Sequence, residues 1–313
     1  MEIRSATIPA DPPQNGTALT IGAYDGVHLG HRQVISEVRR LATERGLASA
    51  VVTFDRHPAS VVRPESAPLL LTDTNQKLEQ LATTGVDLTL IVPFDESRAG
   101  ESAEDFVEEV LVRDLGARVV VVGEDFHFGH HRLGNVDLLR RMGASHGFEV
   151  LGIGLVGTGG SPARDHEQVS STFIRRALAR GDLERANSML GRAYEIRGVA
   201  DPINAVTCGT GSWEVFVDSA ILVPAHGYYA CWIEDEEGFR IGTTVLIEPT
   251  VDGSGSGGAT VTAHPIDAHS DLSEGLVRLS FVSFLGSLLP GEFSGGSSER
   301  LGDIASSARE ALG

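Results

Sequence analysis

Two histidines three residues apart, His28 and His31, close the run Gly22-Ala23-Tyr24-Asp25-Gly26-Val27-His28-Leu29-Gly30-His31. An apolar stretch, Leu19–Ala23, leads into it. After it, His31–Arg45 places Val34, Ile35, Val38 and Leu41 on one helical face. A strand, a glycine-rich turn and a helix start, in that order, make an anion site. Free amides and the positive end of the helix dipole face the turn. Both histidines can address one anion, and Gly30 lets a phosphate approach the backbone. Such donors suit a leaving pyrophosphate, on whose oxygens charge builds up. Two histidines in an isolated turn are ordinary surface residues; the strand–glycine–helix setting is what points to phosphate.

A second run, Ser170-Ser171-Thr172-Phe173-Ile174-Arg175-Arg176, precedes a helical stretch ending at Gly181. Hydroxyls at a helix start are N-cap chemistry. An arginine one turn further in can fold back over the same N-terminus as a phosphate clamp. Alone the run reads as a cap; beside the histidine turn it gains meaning as a phosphate contact. His127, His130 and His131 form a third cluster. No cysteine is near and the run is not read as a helix that would put two ligands on one face, so these are read as loop histidines and no metal site is predicted.

The elements that must hold these residues follow from the apolar pattern. Ala48–Phe54, Leu88–Val92 and Arg118–Val122, with four consecutive valines, read as strands, the last covered on both faces. Asn75–Thr83 and Ser102–Leu115 are helical stretches between them. Alternating strands and helices predict a doubly wound parallel sheet of the α/β class, with ligands beyond the carboxyl ends of its strands. From Gly198 the style changes: Trp213–Val217, Gly227–Ile233, Thr243–Ile247 and Val277–Phe284 follow one another without helices. They predict an antiparallel sheet or a smaller antiparallel β-barrel, closed by a helix near Ser298–Leu312, with Gly253–Gly258 a flexible hairpin tip or loop. The expected domains are 1–187 and 188–313.

The 313 residues suffice for two cores, and 41% hydrophobic with 22% charged residues is an ordinary globular balance. Acidic residues outnumber basic ones 43 to 25, a net charge of −18 that repels nucleic acid and anionic bilayers. A phosphate-bearing substrate therefore needs a local basic, amide-lined pocket. Cys208 and Cys231 form no disulfide framework and read as two buried thiols of a reducing compartment. Met1–Pro13 lacks a signal-peptide pattern, and no apolar run reaches the ~20 residues that cross a bilayer. The expectation is a cytoplasmic protein acting on small molecules.

With these runs in view, the chain resembles the prokaryotic bifunctional riboflavin kinase/FAD synthetases, whose N-terminal domain is a Rossmann-like HxGH nucleotidylyltransferase. Thr53-Phe54-Asp55-Arg56-His57-Pro58 is similar to the family's T-F-x-P-H-P, with arginine at the first proline. Val122-Gly123-Glu124-Asp125-Phe126-His127-Phe128-Gly129 resembles V-G-x-D-F-x-F-G. Ser170–Arg175 resembles S-S-T-x-I-R, and Leu190-Gly191-Arg192-Ala193-Tyr194 the junction L-G-R-P-Y. With the histidine turn, five motifs fall in the family's order across about residues 18–194. The resemblance implies that ATP and FMN are joined as FAD with release of pyrophosphate, Mg²⁺ neutralising charge. It implies that His28, His31 and Arg175 stabilise the transition state and that Ser171 and Thr172 touch the same phosphates. Gly22, Tyr24, Asp25, Gly30, Gly123 and Asp125 would lie along the nucleotide, and Phe54, His57, Phe126 and Phe128 along the flavin. For Phe126 and Phe128, plain core packing is an equal reading.

The second half departs from the family. Where the family carries P-T-A-N, this chain reads Cys208-Gly209-Thr210-Gly211-Ser212-Trp213-Glu214-Val215-Phe216. Glu248-Pro249-Thr250-Val251-Asp252 still resembles R-P-T-x-x. In Val261-Thr262-Ala263-His264-Pro265-Ile266-Asp267, Thr262 stands where the resemblance expects the catalytic glutamate. Threonine is no general base near neutral pH, and His264 or Glu214 offers only a weak substitute. The expectation is adenylyl transfer to FMN without riboflavin phosphorylation. The alternatives are a modified flavin acceptor, another nucleotide such as CTP, or a non-catalytic flavin- or nucleotide-binding protein.

Overall fold

The computed structural model describes residues 1–154, 169–203, 211–250, 258–266, 272–288 and 298–313. Cys208 and the loop residues 253–257 lie outside them. The chain divides into two compact units, Met1–Leu70 with Thr74–Ser170, and Leu71–Asp73 with Ser171–Gly313.

The first unit is built on six strands: β1 (Glu2–Ser5), β2 (Thr17–Ile21), β3 (Ala48–Phe54), β4 (Leu88–Val92), β5 (Ala117–Gly123) and, after a short ribbon of β6 (His127–Phe128) and β7 (Gly134–Asn135), β8 (Glu149–Ile153). They pair in parallel in the order β1-β4-β3-β2-β5-β8. The consecutive valines of β5 show why both faces must be covered. Val119 and Val121 pack with Val38, Leu41 and Ala42 of helix α1 (Leu29–Arg45). Val120 and Val122 point the other way, into a core holding Val107, Val110, Leu111, Leu139 and Met142. Helix α1 ends at Gly46, whose φ of 66° turns the chain in the left-handed region. Helix α2 (Thr74–Ala82) lies between β3 and β4 in the chain, and α3 (Val136–His146) between β7 and β8. The expected helix at 102–115 is present as Ala103–Phe106 continuing into a π-helical Val107–Asp114, with the Ser102 hydroxyl accepting from the Asp105 amide as N-cap. Strands progress from β2 through β3 to β4, then the chain crosses to the other side of β2 to form β5. That reversal opens a crevice beyond the carboxyl ends of β2, β3 and β5.

The second unit opens with helices α4 (Ser171–Ala179) and α5 (Leu183–Leu190). Six antiparallel strands follow: β9 (Tyr194–Ile203), β10 (Ser212–Val217), β11 (Gly227–Asp235), β12 (Arg240–Pro249), β13 (Ala259–Pro265) and β14 (Gly275–Gly286), closed in the order β10-β13-β12-β11-β14-β9. Closure leaves no sheet edge to cover. Helix α6 (Ser298–Leu312) follows the barrel in the chain, and Leu312 lies against Gly242 of β12. Cys231 is buried on β11, and burial pushes its thiol pKa up.

The border between units falls before α4, ahead of the expected 187/188. The reason is visible in hydrogen bonds: the Asn187 side chain donates to the Phe281 carbonyl at 3.0 Å and accepts from the Tyr194 amide at 2.7 Å. The Ala225 amide also donates to the Leu178 carbonyl at 3.0 Å. Among the described residues, no helix is long and apolar enough to cross a membrane.

Candidate active site

The loop after β2 is bound to β3 as it leaves the sheet. The Gly22 amide donates to the Val52 carbonyl at 3.0 Å, and the Thr53 hydroxyl donates to the Ala23 carbonyl at 3.2 Å. The chain then turns through three left-handed residues, Tyr24 (φ 52°), Gly26 (φ 79°) and Val27 (φ 36°). Two of these carry side chains, and the β-branched valine is the costlier. Packing offsets the strain: Tyr24 and Val27 are buried with Ile35, Val51, Leu81 and Val86. The Tyr24 hydroxyl donates to Thr20 Oγ1 at 2.8 Å, and burial raises its pKa.

His28 is the N-cap of α1, with φ −72° and ψ 174°; its Nδ1 accepts the His31 amide N–H at 3.3 Å. A neutral His28 whose Nδ1 accepts carries its proton on Nε2, so the cap fixes the tautomer. The His31 ring stacks on it, centroids 3.6 Å apart and 14° from parallel, with the Tyr24 ring 4.8 Å away. Burial, and then the neighbouring His28, hold the His31 pKa well below the ordinary histidine value. Its Nδ1 is buried without a hydrogen-bond partner, a cost that a bound group would relieve. Gly30 sits against the stack. A Cβ there would come within 3.2 Å of His28 Cε1 and Nδ1 and 3.3 Å of the Val169 carbonyl. Asp25 is buried in the same turn.

Beside the turn lies a cavity of about 870 Å³ that it shares at Gly22 and Ala23. Its walls include Phe54, His57, Phe106, Phe126 and Phe128. Phe126 and Phe128 are stacked at 5.4 Å and 16°, and Phe94 meets Phe54 edge-on at 5.2 Å. The lining also carries Arg63, Arg98, Arg132, His127, His130 and His131 against Glu96 and Glu101, a local excess of basic groups that a chain of charge −18 needs for an anionic ligand. His57 Nδ1 accepts from the Ala59 amide at 3.1 Å. The rim histidines are tied to backbone: His127 Nδ1 to the Asp125 carbonyl at 2.8 Å, His130 Nδ1 to the Ala99 carbonyl at 3.1 Å. Among the described residues, no three His, Cys, Asp or Glu side chains form a metal-holding group.

The structure thus gathers Gly22, Tyr24, Asp25, His28, Gly30 and His31 in one turn, and Phe54, His57, Phe126 and Phe128 around the adjoining cavity. Gly123 ends β5 and Asp125 is exposed in the turn after it; a Cβ on Gly123 would reach within 2.9 Å of Asp125 Oδ1. Ser171, Thr172 and Arg175 lie in the first two turns of α4, in the second unit. Sequence reasoning missed Phe94, Phe106 and Lys77. For Lys77 the signal was present, because it is the one lysine of the chain.

In the barrel, Thr262 of β13 pairs across to Glu214 of β10 and to Leu246 of β12. His264 Nδ1 is 2.8 Å from Ser212 Oγ, and burial lowers the His264 pKa. Trp213 Nε1 and Thr244 Oγ1 are buried without hydrogen-bond partners.

Comparison with known proteins bears on the whole arrangement. The family profile for FAD synthetase matches residues 10–173. A bifunctional riboflavin kinase/FMN adenylyltransferase of Pseudomonas fluorescens is 33% identical over 273 residues, 86% of this chain and 85% of that protein. One from Escherichia coli (strain K12) is 37% identical over 186 residues, 59% of this chain and 58% of that protein. A crystal structure described as a macrolide-efflux protein from Streptococcus pneumoniae superposes with a TM-score of 0.81 at 20% identity, covering 99% of this chain and 98% of that one. At that identity the likeness speaks for the fold alone.

Proposed function

We propose, given that this chain belongs to the FAD synthetase family, that it transfers the adenylyl group of ATP to FMN and does not phosphorylate riboflavin. One observation carries the first part: a cavity walled by flat aromatic rings opens at Gly22 and Ala23 onto the histidine turn at the start of α1. A flavin ring fits the first and polyphosphate the second.

In the reaction, an oxygen of the FMN phosphate attacks the α-phosphorus of ATP. A new O–P bond forms, the bond to the β-phosphate oxygen breaks, and pyrophosphate leaves with the electron pair. No side chain need act as nucleophile. Neutral His28 offers its Nε2–H to the phosphates, and the α1 amides add fixed dipoles. His31, kept neutral by burial, would meet developing charge with its otherwise unpartnered Nδ1 in the tautomer that carries the proton there. Tyr24, Asp25 and Gly30 shape this turn for the nucleotide, as do Gly123 and Asp125 at the end of β5. For Ser171, Thr172 and Arg175, phosphate contact is proposed from their sequence run and the helix start they occupy. Mg²⁺ arriving with ATP would supply charge neutralisation on the leaving pyrophosphate.

The absence of kinase activity rests on Thr262. The relatives are described as bifunctional, but a threonine at this position cannot take the proton of a riboflavin hydroxyl. His264 already has Nδ1 engaged with Ser212. The test is pyrophosphate release and product analysis with ATP, Mg²⁺ and either FMN or riboflavin as sole acceptor. FAD from FMN, with riboflavin unchanged, is the expected result. FMN made from riboflavin would overturn the kinase part, and silence with FMN would overturn the adenylyl-transfer part.

A further inference from the structure

Lys77 is the one lysine among the chain's 25 basic residues, and it is only 7% exposed. A buried ammonium is costly unless its hydrogen bonds and charge are answered. Its Nζ donates to the Phe54 carbonyl at 2.6 Å. The Asp25 and Asp55 carboxylates are near enough to favour its charged form, against a larger opposing effect of burial. Three residues earlier, the Thr74 hydroxyl donates to the Asp55 carbonyl at 3.1 Å. The first turn of α2 therefore holds two consecutive carbonyls at the point where β3 leaves the sheet. Asp55 extends the connection, since its Oδ1 accepts from the Phe94 amide at 2.9 Å, and Phe94 braces Phe54 at the cavity wall. Asp25 belongs to the phosphate turn. One ammonium thus holds the end of β3, and β3 in turn holds the phosphate turn, since the Thr53 hydroxyl donates to the Ala23 carbonyl at 3.2 Å; the same helix is bound to α1 by Arg32, which donates to Gln80 Oε1 at 2.8 Å.

We propose that Lys77 is a positioning residue for adenylyl transfer. Its ammonium fixes the end of β3, which walls the cavity and is hydrogen-bonded to the phosphate turn at Ala23, so that acceptor phosphate and α-phosphate meet in line. The inference rests on the functional reading above.

The single lysine gives the experiment its readout. Chain produced with [ε-¹³C]lysine shows one side-chain lysine resonance. Saturation with a non-hydrolysable ATP analogue, and separately with FMN, is expected to move that resonance, because each ligand loads one of the two walls the ammonium joins. Both ligands binding with the resonance unmoved overturns the proposal. In parallel, Lys77→Met, similar in length but uncharged, is expected to lower kcat by about ten- to a hundredfold with smaller changes in KM. Lys77→Arg, which keeps the charge, should recover part of the loss. A Lys77→Met enzyme with wild-type kcat also overturns the proposal; should that variant not fold, the wild-type resonance decides alone. A wild-type chain that makes no FAD sinks the functional reading and this inference with it. Wild-type turnover with an unmoved resonance sinks this inference only.

Discussion

The imidazoles of His28 and His31 lie one upon the other, 3.6 Å between centroids, and Gly30 leaves the space in which they do so. A methyl group at Gly30 would press on the His28 ring and on the Val169 carbonyl at once. The ring is the softer of the two, so Gly30→Ala should disturb the stack more than the fold. We expect FAD formation slowed about tenfold, with a thermal midpoint lowered by no more than about 4 °C. Wild-type turnover in this variant would show that the stack is irrelevant to the reaction.

The two histidines should separate in stability while agreeing in rate. Either alanine substitution removes a donor and should lower kcat by about 10²–10³-fold. Only His28 caps α1, so His28→Ala should also cost about 1 kcal/mol of stability. His28→Asn should restore the cap and the urea midpoint without restoring the rate. Equal urea midpoints for His28→Ala and His28→Asn would contradict this assignment.

Phe128 touches Phe126 face to face and Phe106 at 5.9 Å. If the cavity holds the flavin ring, Phe128→Ala should raise the KM for FMN about tenfold while leaving that for ATP near its wild-type value. Loss of one aromatic contact face is of that size. Equal changes in both constants would mean general damage to the unit.

The pH dependence of stability follows from the depressed pKa values of His31 and His264. In the unfolded chain each takes up a proton as pH falls through the ordinary histidine value of 6.5. The folded protein resists that uptake. Stability is therefore fully present above this value and lost below it, at a rate of at most about 1.4 kcal/mol per pH unit for each histidine. Urea midpoints between pH 5 and 8 should show the decline, and His31→Asn should make it shallower. A midpoint that rises on acidification would refute the assignment.

Much of this was legible in the chain. The four central strands announced themselves because they are buried on both faces and therefore continuously apolar, as in Val119–Val122. Four of the six barrel strands, β10, β11, β12 and β14, were legible as successive apolar runs without intervening helices. The edge strand β1 was not, since Glu2–Ser5 is half in water and its composition tells nothing of its neighbour Leu88. The histidine turn could be read because its chemistry is local: strand, glycines and helix start are contiguous. The stacking of its rings, the tautomer of His28 and the buried Nδ1 of His31 arise from tertiary packing, which spacing does not encode. The association of α5 with the barrel was hidden for the same reason, because the Asn187 side chain finds its partners on β9 and β14 and not in its own helix. Lys77 was overlooked for want of a motif, although its solitude in the composition was plain.

That solitude has a chemical corollary. The folded surface is an arginine surface, and its one side-chain primary amine is enclosed in the first unit. Enzymes that attach acetyl groups or ubiquitin-like tags to lysine, and reagents aimed at its side-chain amine, have no exposed lysine on the native protein. A mark found on Lys77 would therefore be a record of opening, and its rate of appearance a clock for how often the sheet releases α2.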